Sequence, residues 1–376
     1  MKVYLDNAAT TPLDKEVFEA MTPYLLQHFG NPSSHHQHGR EAKQAIENSR
    51  KAIAQLINAS PDEIIFTSGG TEADNTAVLA AVRGSGIHHV ITTRFEHHAV
   101  LHLLEELERS GEIFVSYIAN DADGNLDLAD LEHLLQTSQR SLVSVMHANN
   151  EVGNLNDIGR IGNICEKYNA LFHTDTVQTM GHYRHDLRKL KVHFLTASAH
   201  KFHGPKGIGF LYTRKGLKLS KLIHGGGQEG RSRAGTENIP GIIGLTKALQ
   251  LAYADMDAHQ KHIQKLKDQL IGKLTEILPD VSFNGNSAIA QKSLYTVLSI
   301  NVPALNLDLL RCLDGYEISV SGGSACSSGA SSHVLQALGV APGRDTIRFS
   351  FSKFNTKQEL DYVANKLAGI YQLIAA

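Results

Sequence analysis

Lys201 stands just past an apolar run, Phe194-Leu-Thr-Ala197, inside the stretch Ser198-Ala-His-Lys-Phe-His-Gly-Pro-Lys-Gly-Ile-Gly209. The run reads as a buried strand and the glycines as the turn after it. The amine is therefore held in place, partly desolvated, and flanked by Ser198, His200 and His203, which can move protons. A lysine that forms a Schiff base needs such surroundings. The ordinary alternative is a surface lysine in a basic loop.

Other segments carry complementary chemistry. Phe66-Thr-Ser-Gly-Gly-Thr-Glu-Ala-Asp-Asn75 runs from a strand through Gly69 and Gly70 into a helix, with the Thr71 hydroxyl at its start. Free N–H groups and the dipole at such a helix start attract phosphate; a plain strand–helix turn with a threonine cap is the alternative. Glu96-His-His-Ala-Val100 opens a helix after a strand end, where a histidine can stack on a flat ring or move protons. His97 is the candidate, and His98 reads as a solvated helix start. Met146-His-Ala-Asn-Asn-Glu-Val-Gly153 places Asn150 at the same edge of the sheet. Phe172-His-Thr-Asp-Thr-Val-Gln178 offers Asp175 at a strand end and Gln178 three residues on. A carboxylate opposite a ring nitrogen keeps that nitrogen protonated and improves the ring as an electron sink, whereas a helix cap is the common use of such an aspartate. Gly225-Gly-Gly-Gln-Glu-Gly-Arg-Ser-Arg-Ala-Gly-Thr-Glu-Asn238 reads as a mobile loop with Thr236 as a further phosphate donor. Thr346-Ile-Arg-Phe-Ser350 sets Arg348 in a strand pattern. There it can hold a carboxylate with two parallel hydrogen bonds or form a surface salt bridge.

The chain has three cysteines, Cys165, Cys312 and Cys326, too few and too far apart for a disulfide framework or a Cys-x-x-Cys clip. Cys165 and Cys312 sit among apolar residues and read as small core groups. Cys326, in Ser319-Val-Ser-Gly-Gly-Ser-Ala-Cys-Ser-Ser-Gly-Ala-Ser-Ser-His333, has only small neighbours, which leaves its thiol open to reaction. The 21 histidines show no His-x-x-x-His pair on a clear helix, and no metal is expected.

These residues need a scaffold. A chain of 376 residues is long for one core, so two domains are expected. From Glu41 to Tyr212 short apolar runs alternate with helical patterns, as in an α/β domain with a largely parallel sheet covered on both faces. A helical stretch from about Ile239 to Leu278 bridges to a smaller α+β unit with strands at Thr296–Ile300 and Ile318–Val320, and helices at Leu307–Leu313 and from Thr356. The expected division is 14–255 for the large domain, and 1–13 with 256–376 for the small one. A net charge of −2 gives no reason to expect nucleic acid or an acidic membrane. No apolar run approaches the ~20 residues of a membrane span, and residues 1–12 lack a signal-peptide pattern, so a cytoplasmic protein is expected.

In this order the segments, together with Tyr4-Leu-Asp-Asn-Ala-Ala-Thr-Thr11 and Phe29-Gly-Asn-Pro-Ser-Ser34, resemble the cysteine desulfurases of the NifS/IscS type. These are class V aminotransferases, pyridoxal-phosphate enzymes of fold type I. The resemblance spans nearly the whole chain. It implies that Lys201 carries pyridoxal 5'-phosphate, His97 stacks on its ring, Asp175 pairs with its nitrogen and Gln178 meets its hydroxyl. It implies a phosphate held at Gly70, Thr71, Ser198 and His200, with Thr236 reaching in from the partner subunit of a homodimer. Asn150 would lie beside cofactor and substrate, Arg348 would bind the carboxylate of L-cysteine, and Cys326 would attack its sulfur. The persulfide would pass to an acceptor protein for iron–sulfur assembly or tRNA thiolation. Two departures stand out. The loop after Cys326 is slightly short and lacks the usual proline and charged residue, and Thr176 replaces the usual alanine. A selenocysteine lyase, an aminotransferase with an incidental Cys326, and a non-catalytic scaffold for sulfur-relay proteins are the alternatives.

Overall fold

The computed structural model describes residues 1–138, 140–278, 280–305, 307–322, 332–340 and 343–375. Cys326 and the glycine- and serine-rich stretch around it lie outside the described residues.

After a short strand β1 (Val3–Tyr4) come helices α1 (Lys15–Leu26) and α2 (Gln37–Leu56), then the units β2 (Ile64–Thr67), α3 (Gly70–Leu79), β3 (His89–Thr92), α4 (His98–Arg109), β4 (Phe114–Tyr117), α5 (Leu128–Gln136), β5 (Leu142–Ser144), α6 (Ile158–Lys167), β6 (Leu171–Asp175), β7 (Phe194–Ser198) and β8 (Gly209–Thr213). Local chemistry explains many of the helix starts. Asp14, Asp127 and Asp157 cap α1, α5 and α6 through their carboxylates, and the His97 ring caps α4; each satisfies an N–H that the helix itself leaves orphaned.

The strands form a seven-stranded sheet in the order β2-β8-β7-β6-β5-β3-β4. Only β8 runs against its neighbours, so β2 points the same way as the five parallel strands. Strands β2, β3, β5, β6 and β7 are buried throughout, as a sheet covered by helices on both faces requires. The consequence for function is direct: the carboxyl ends of β2, β3, β5, β6 and β7 open onto one edge, where ligands gather in such sheets.

The expected single helical bridge is two helices, α7 (Ile239–Ala254) and α8 (Met256–Ile277), broken at Asp255. Beyond it lie β9 (Ser282–Phe283), β10 (Val297–Pro303), α9 (Leu309–Gly315), β11 (Ile318–Ser319), α10 (His333–Ala337), β12 (Arg344–Ser350) and α11 (Lys357–Ala375). β12, β10 and β9 form a three-stranded antiparallel sheet, and β1 pairs in parallel with β11. Sequence periodicity missed β1 and β9, since two residues carry no period. One apolar cluster gathers residues from Val17 to Met256, and another joins Val3 and Leu5 to Ile263–Tyr371. The N-terminal strand thus belongs to the core built by the C-terminal third. Cys165 is buried in the first cluster, its thiol pushed up to about 12 by burial. Cys312 is half-buried at the edge of the second. No helix among the described residues is long and apolar enough to cross a membrane.

Candidate active site

Each strand end delivers its residue to one cavity of about 340 Å³, lined by Ala8, Ala9, Gly70, Thr71, Asp74, His97, Met146, Ala148, Asn150, Asp175, Val177, Gln178, Ser198, His200, Lys201 and Arg348. Apart from Thr236 and Cys326, every residue expected at the site from the sequence is therefore brought together. Thr236 is exposed and does not line this cavity.

Lys201 ends a turn of 3-10 helix that follows β7. Its Nζ donates to the carbonyl oxygens of Ala8 and Ala9 at 2.6 and 2.9 Å. Those carbonyls come from the N-terminal segment and carry no side-chain signal, so reading the sequence did not find them. Gln178 Nε2 donates to the same Ala8 oxygen at 3.0 Å.

Asp175 closes β6 and is buried; its Oδ1 accepts from Val177 N at 2.7 Å. The aspartate thus does cap a turn, yet its carboxyl also faces the cavity. Burial, and then the nearby Asp74 carboxyl, push it up to about 7. Asp74, on α3, accepts from Thr196 Oγ1 at 2.7 Å and is likewise pushed up to about 7 by burial. His173 Nε2 lies 3.3 Å from Asp74 Oδ1 without the alignment of a hydrogen bond, and burial pulls the ring down to about 4.

The N-cap of α3 is Gly69, which has no capping side chain, so the first N–H groups of the helix are left for a ligand. A Cβ on Gly70 would stand 2.8 Å from Val177 Cγ2; the cradle keeps its width because glycine is there. Ser198 is buried beside it, and His200 Nδ1 lies 3.2 Å from Thr10 Oγ1. The donor set is a helix start, hydroxyls and an imidazole at one end, with a buried carboxyl and an amine at the other. It fits a phosphate-bearing aromatic ring that has a basic nitrogen and an aldehyde.

His97 Nδ1 accepts from Ala99 N at 3.1 Å, which leaves the hydrogen on Nε2. Burial, then the charge of Lys201, hold the ring down to about 4, so it is neutral near pH 7. Next to it the structure corrects two expectations. His98 and His102 stand one turn apart on α4, a His-x-x-x-His pair on a clear helix, with ring centroids 4.4 Å apart and His333 at 4.6 Å from His98. His98 is also not fully solvated: its Nδ1 is buried and lacks a hydrogen-bond partner among the described residues. His98 and His102 stack while the His333 ring is tilted against His98, and no group of His, Cys, Asp or Glu among the described residues is arranged to hold a metal.

Arg348 on β12 is 1% exposed, far from the surface salt bridge that sequence allowed. Nη1 donates to Asn150 O at 2.9 Å and Nη2 to Asp6 Oδ1 at 2.7 Å, while Nε has no partner among the described residues. A guanidinium has five N–H donors, so this one reaches the cavity with donors to spare. Thr176 is fully buried, its hydroxyl satisfied by Thr196 O at 2.6 Å. The glycine-rich loop is anchored: Glu229 takes two bonds from Arg50 and one from Phe66 N, and Arg233 pairs with Glu72 on α3.

The chain matches the aminotransferase class-V family over residues 3–363. It belongs to that family. A cysteine desulfurase IscS from Dictyoglomus turgidum is 44% identical over 99% of this chain and 95% of that protein. Among solved structures, a NifS-like protein superposes with a TM-score of 0.91 at 38% identity, covering 99% of this chain and all of the other. SspA in complex with cysteine gives a TM-score of 0.81 at 31% identity over 94% of this chain and all of that one. The class V fold accounts for the mixed, mostly parallel sheet and for the site at its carboxyl edge.

Proposed function

We propose that this class V enzyme is a cysteine desulfurase that uses pyridoxal 5'-phosphate to convert L-cysteine to L-alanine, leaving the sulfur as a persulfide on Cys326. What supports the reading is the convergence of Lys201, His97, Asp175 and Arg348 on one cavity, in a chain 44% identical to an IscS desulfurase and similar to a solved relative that holds cysteine.

Pyridoxal phosphate, when bound, supplies an electron sink that acidifies the substrate's α-carbon. Lys201 is the residue that would carry it. The first turn of α3 at Gly70 and Thr71, with Ser198 and His200, would hold its phosphate. Asp175 would face its ring nitrogen, His97 its ring face and Gln178 its hydroxyl. Arg348 offers its spare N–H groups to the α-carboxylate of the amino acid, beside Asn150. Lys201 is the amine that would accept the α-proton. Cys326 reacts as the thiolate: a bond forms between its sulfur and the substrate sulfur, the substrate's carbon–sulfur bond breaks, the β-carbon takes a proton, and the α-carbon regains the one that Lys201 accepted, which gives alanine.

The enzyme acts as a homodimer in this reading, with Thr236 serving the partner's phosphate site. Phe18, Leu25, Leu26 and Phe29 are large apolar side chains left exposed near the N-terminus, as residues covered by a second copy would be. The sulfur then leaves to an acceptor protein in iron–sulfur assembly or tRNA thiolation.

Mass spectrometry of the holoenzyme after brief exposure to L-cysteine tests the reading. Added sulfur on the Cys326 peptide with released alanine is expected, and Cys326→Ala abolishes the adduct. A keto acid with no adduct makes the protein an aminotransferase, and a large preference for selenocysteine makes it a selenocysteine lyase.

A further inference from the structure

Asp6 does not line the cavity, yet it holds the one arginine there that is suited to a carboxylate. Its Oδ1 accepts from Arg348 Nη2 at 2.7 Å and from Ser321 Oγ at 2.8 Å. Ser321 and Arg348 are also joined through their backbones, N to O at 3.3 Å and 2.6 Å in the two directions. On the other side Asn150 O takes one Nη1 hydrogen. The guanidinium is thus gripped at both terminal nitrogens by groups from two distant parts of the chain, Asp6 and Asn150. Among the described residues, Nε and one hydrogen on each terminal nitrogen are left over. The side chain of Asp6 is 19% exposed, against 1% for Arg348. A buried guanidinium with no counter-charge is strongly disfavoured, and Asp6 is the carboxylate in contact with this one.

We propose that Asp6 is a positioning residue for substrate recognition: by fixing Arg348 at Nη2 it aims the remaining N–H groups at the α-carboxylate of the amino acid. The proposal rests on the desulfurase reading, in which L-alanine is the product and binds the same site. Asp6 touches neither substrate nor cofactor. It sets the angle of the group that does, and a carboxylate fork is sensitive to that angle.

The test compares two ligands of one shape, L-alanine and L-alaninamide, by equilibrium titration of the holoenzyme's visible absorbance. The first carries the carboxylate and the second a neutral amide. Asp6→Asn keeps the size and one acceptor but removes the charge that grips Nη2. The expected result is about a tenfold loss of affinity for L-alanine, with alaninamide affinity unchanged and KM for L-cysteine raised more than kcat is lowered. Asp6→Glu keeps the charge one methylene further out, and a partial loss confined to L-alanine is expected. This second variant carries the test if Asp6→Asn does not fold. Equal losses for both ligands, or an unchanged preference for L-alanine, overturn the proposal. If the unaltered enzyme releases no alanine and puts no sulfur on Cys326, the desulfurase reading itself fails, a result distinct from either.

Discussion

Lys201 and Gln178 share a single acceptor: Nζ and Nε2 both donate to the carbonyl oxygen of Ala8, at 2.6 and 3.0 Å. The N-terminal segment therefore reaches the sheet edge and holds the Lys201 amine through Ala8 and Ala9. Replacing Lys201 by alanine should remove both the amine and this tether. Alanine release should fall by about 10³-fold or more, with the far-ultraviolet circular dichroism unchanged. Residual turnover within tenfold of the unaltered enzyme would remove Lys201 from the mechanism.

Asp175 is raised first by burial and then by the nearby Asp74 carboxyl, because two buried carboxyls resist carrying charge together. Asp175→Asn should lower kcat by roughly 10²-fold or more, since an amide cannot keep a ring nitrogen protonated. Asp74→Asn acts in the opposite sense on Asp175, letting it ionise at lower pH. The acid limb of kcat against pH should then move to lower pH. An unmoved limb would show that the two carboxyls are not coupled.

Glu96 is a buried carboxyl pushed up to about 8, first by burial and further by Asp175 and Asp74. A group whose folded value lies above its unfolded value stabilises fully below the unfolded value, and that contribution is lost as pH rises through the folded one. The window here runs from the ordinary glutamate value to about 8. Gln at this position mimics the protonated acid and does not titrate. Glu96→Gln should therefore gain thermal stability relative to the unaltered chain as pH rises from 5 to 8, by at most about 1.4 kcal/mol per pH unit. A difference in Tm that is flat across that range contradicts the assignment.

Arg50 and Glu229 form a buried bidentate pair at 2.8 and 2.9 Å, and Glu229 also accepts from Phe66 N on β2. Arg50→Ala leaves Glu229 buried without its partner, which costs about 3–5 kcal/mol in denaturant unfolding. The same change should loosen the loop that carries Thr236. Cofactor affinity should drop with it if Thr236 completes the partner's phosphate site, and stay put if the loop serves stability alone.

Much of this was legible in the residues. Short apolar runs marked most strands of the large sheet, though not β8, and each site residue except Thr236 and Cys326 lies at or just after a strand end or, for Arg348, within a strand. What the residues left unread differs from place to place. The pairing of His98 with His102 depends on how far α4 runs past its start, and the structure carries it to Arg109. The break between α7 and α8 at Asp255 interrupts no apolar period. β1, two residues long, is a strand only because β11 lies beside it.

By itself the sequence determined which groups are present and which strand ends carry them, since alternation, capping and turn chemistry are local. Tertiary structure decided what those groups become. Arg348, which the sequence left between a carboxylate-holding residue and a surface salt bridge, is buried and paired with Asp6, 342 residues away. Asp175 and Asp74 acquire raised carboxyls because two strands and a helix exclude water around both. Desolvation and long-range pairing depend on what the fold brings near, and no local pattern encodes them.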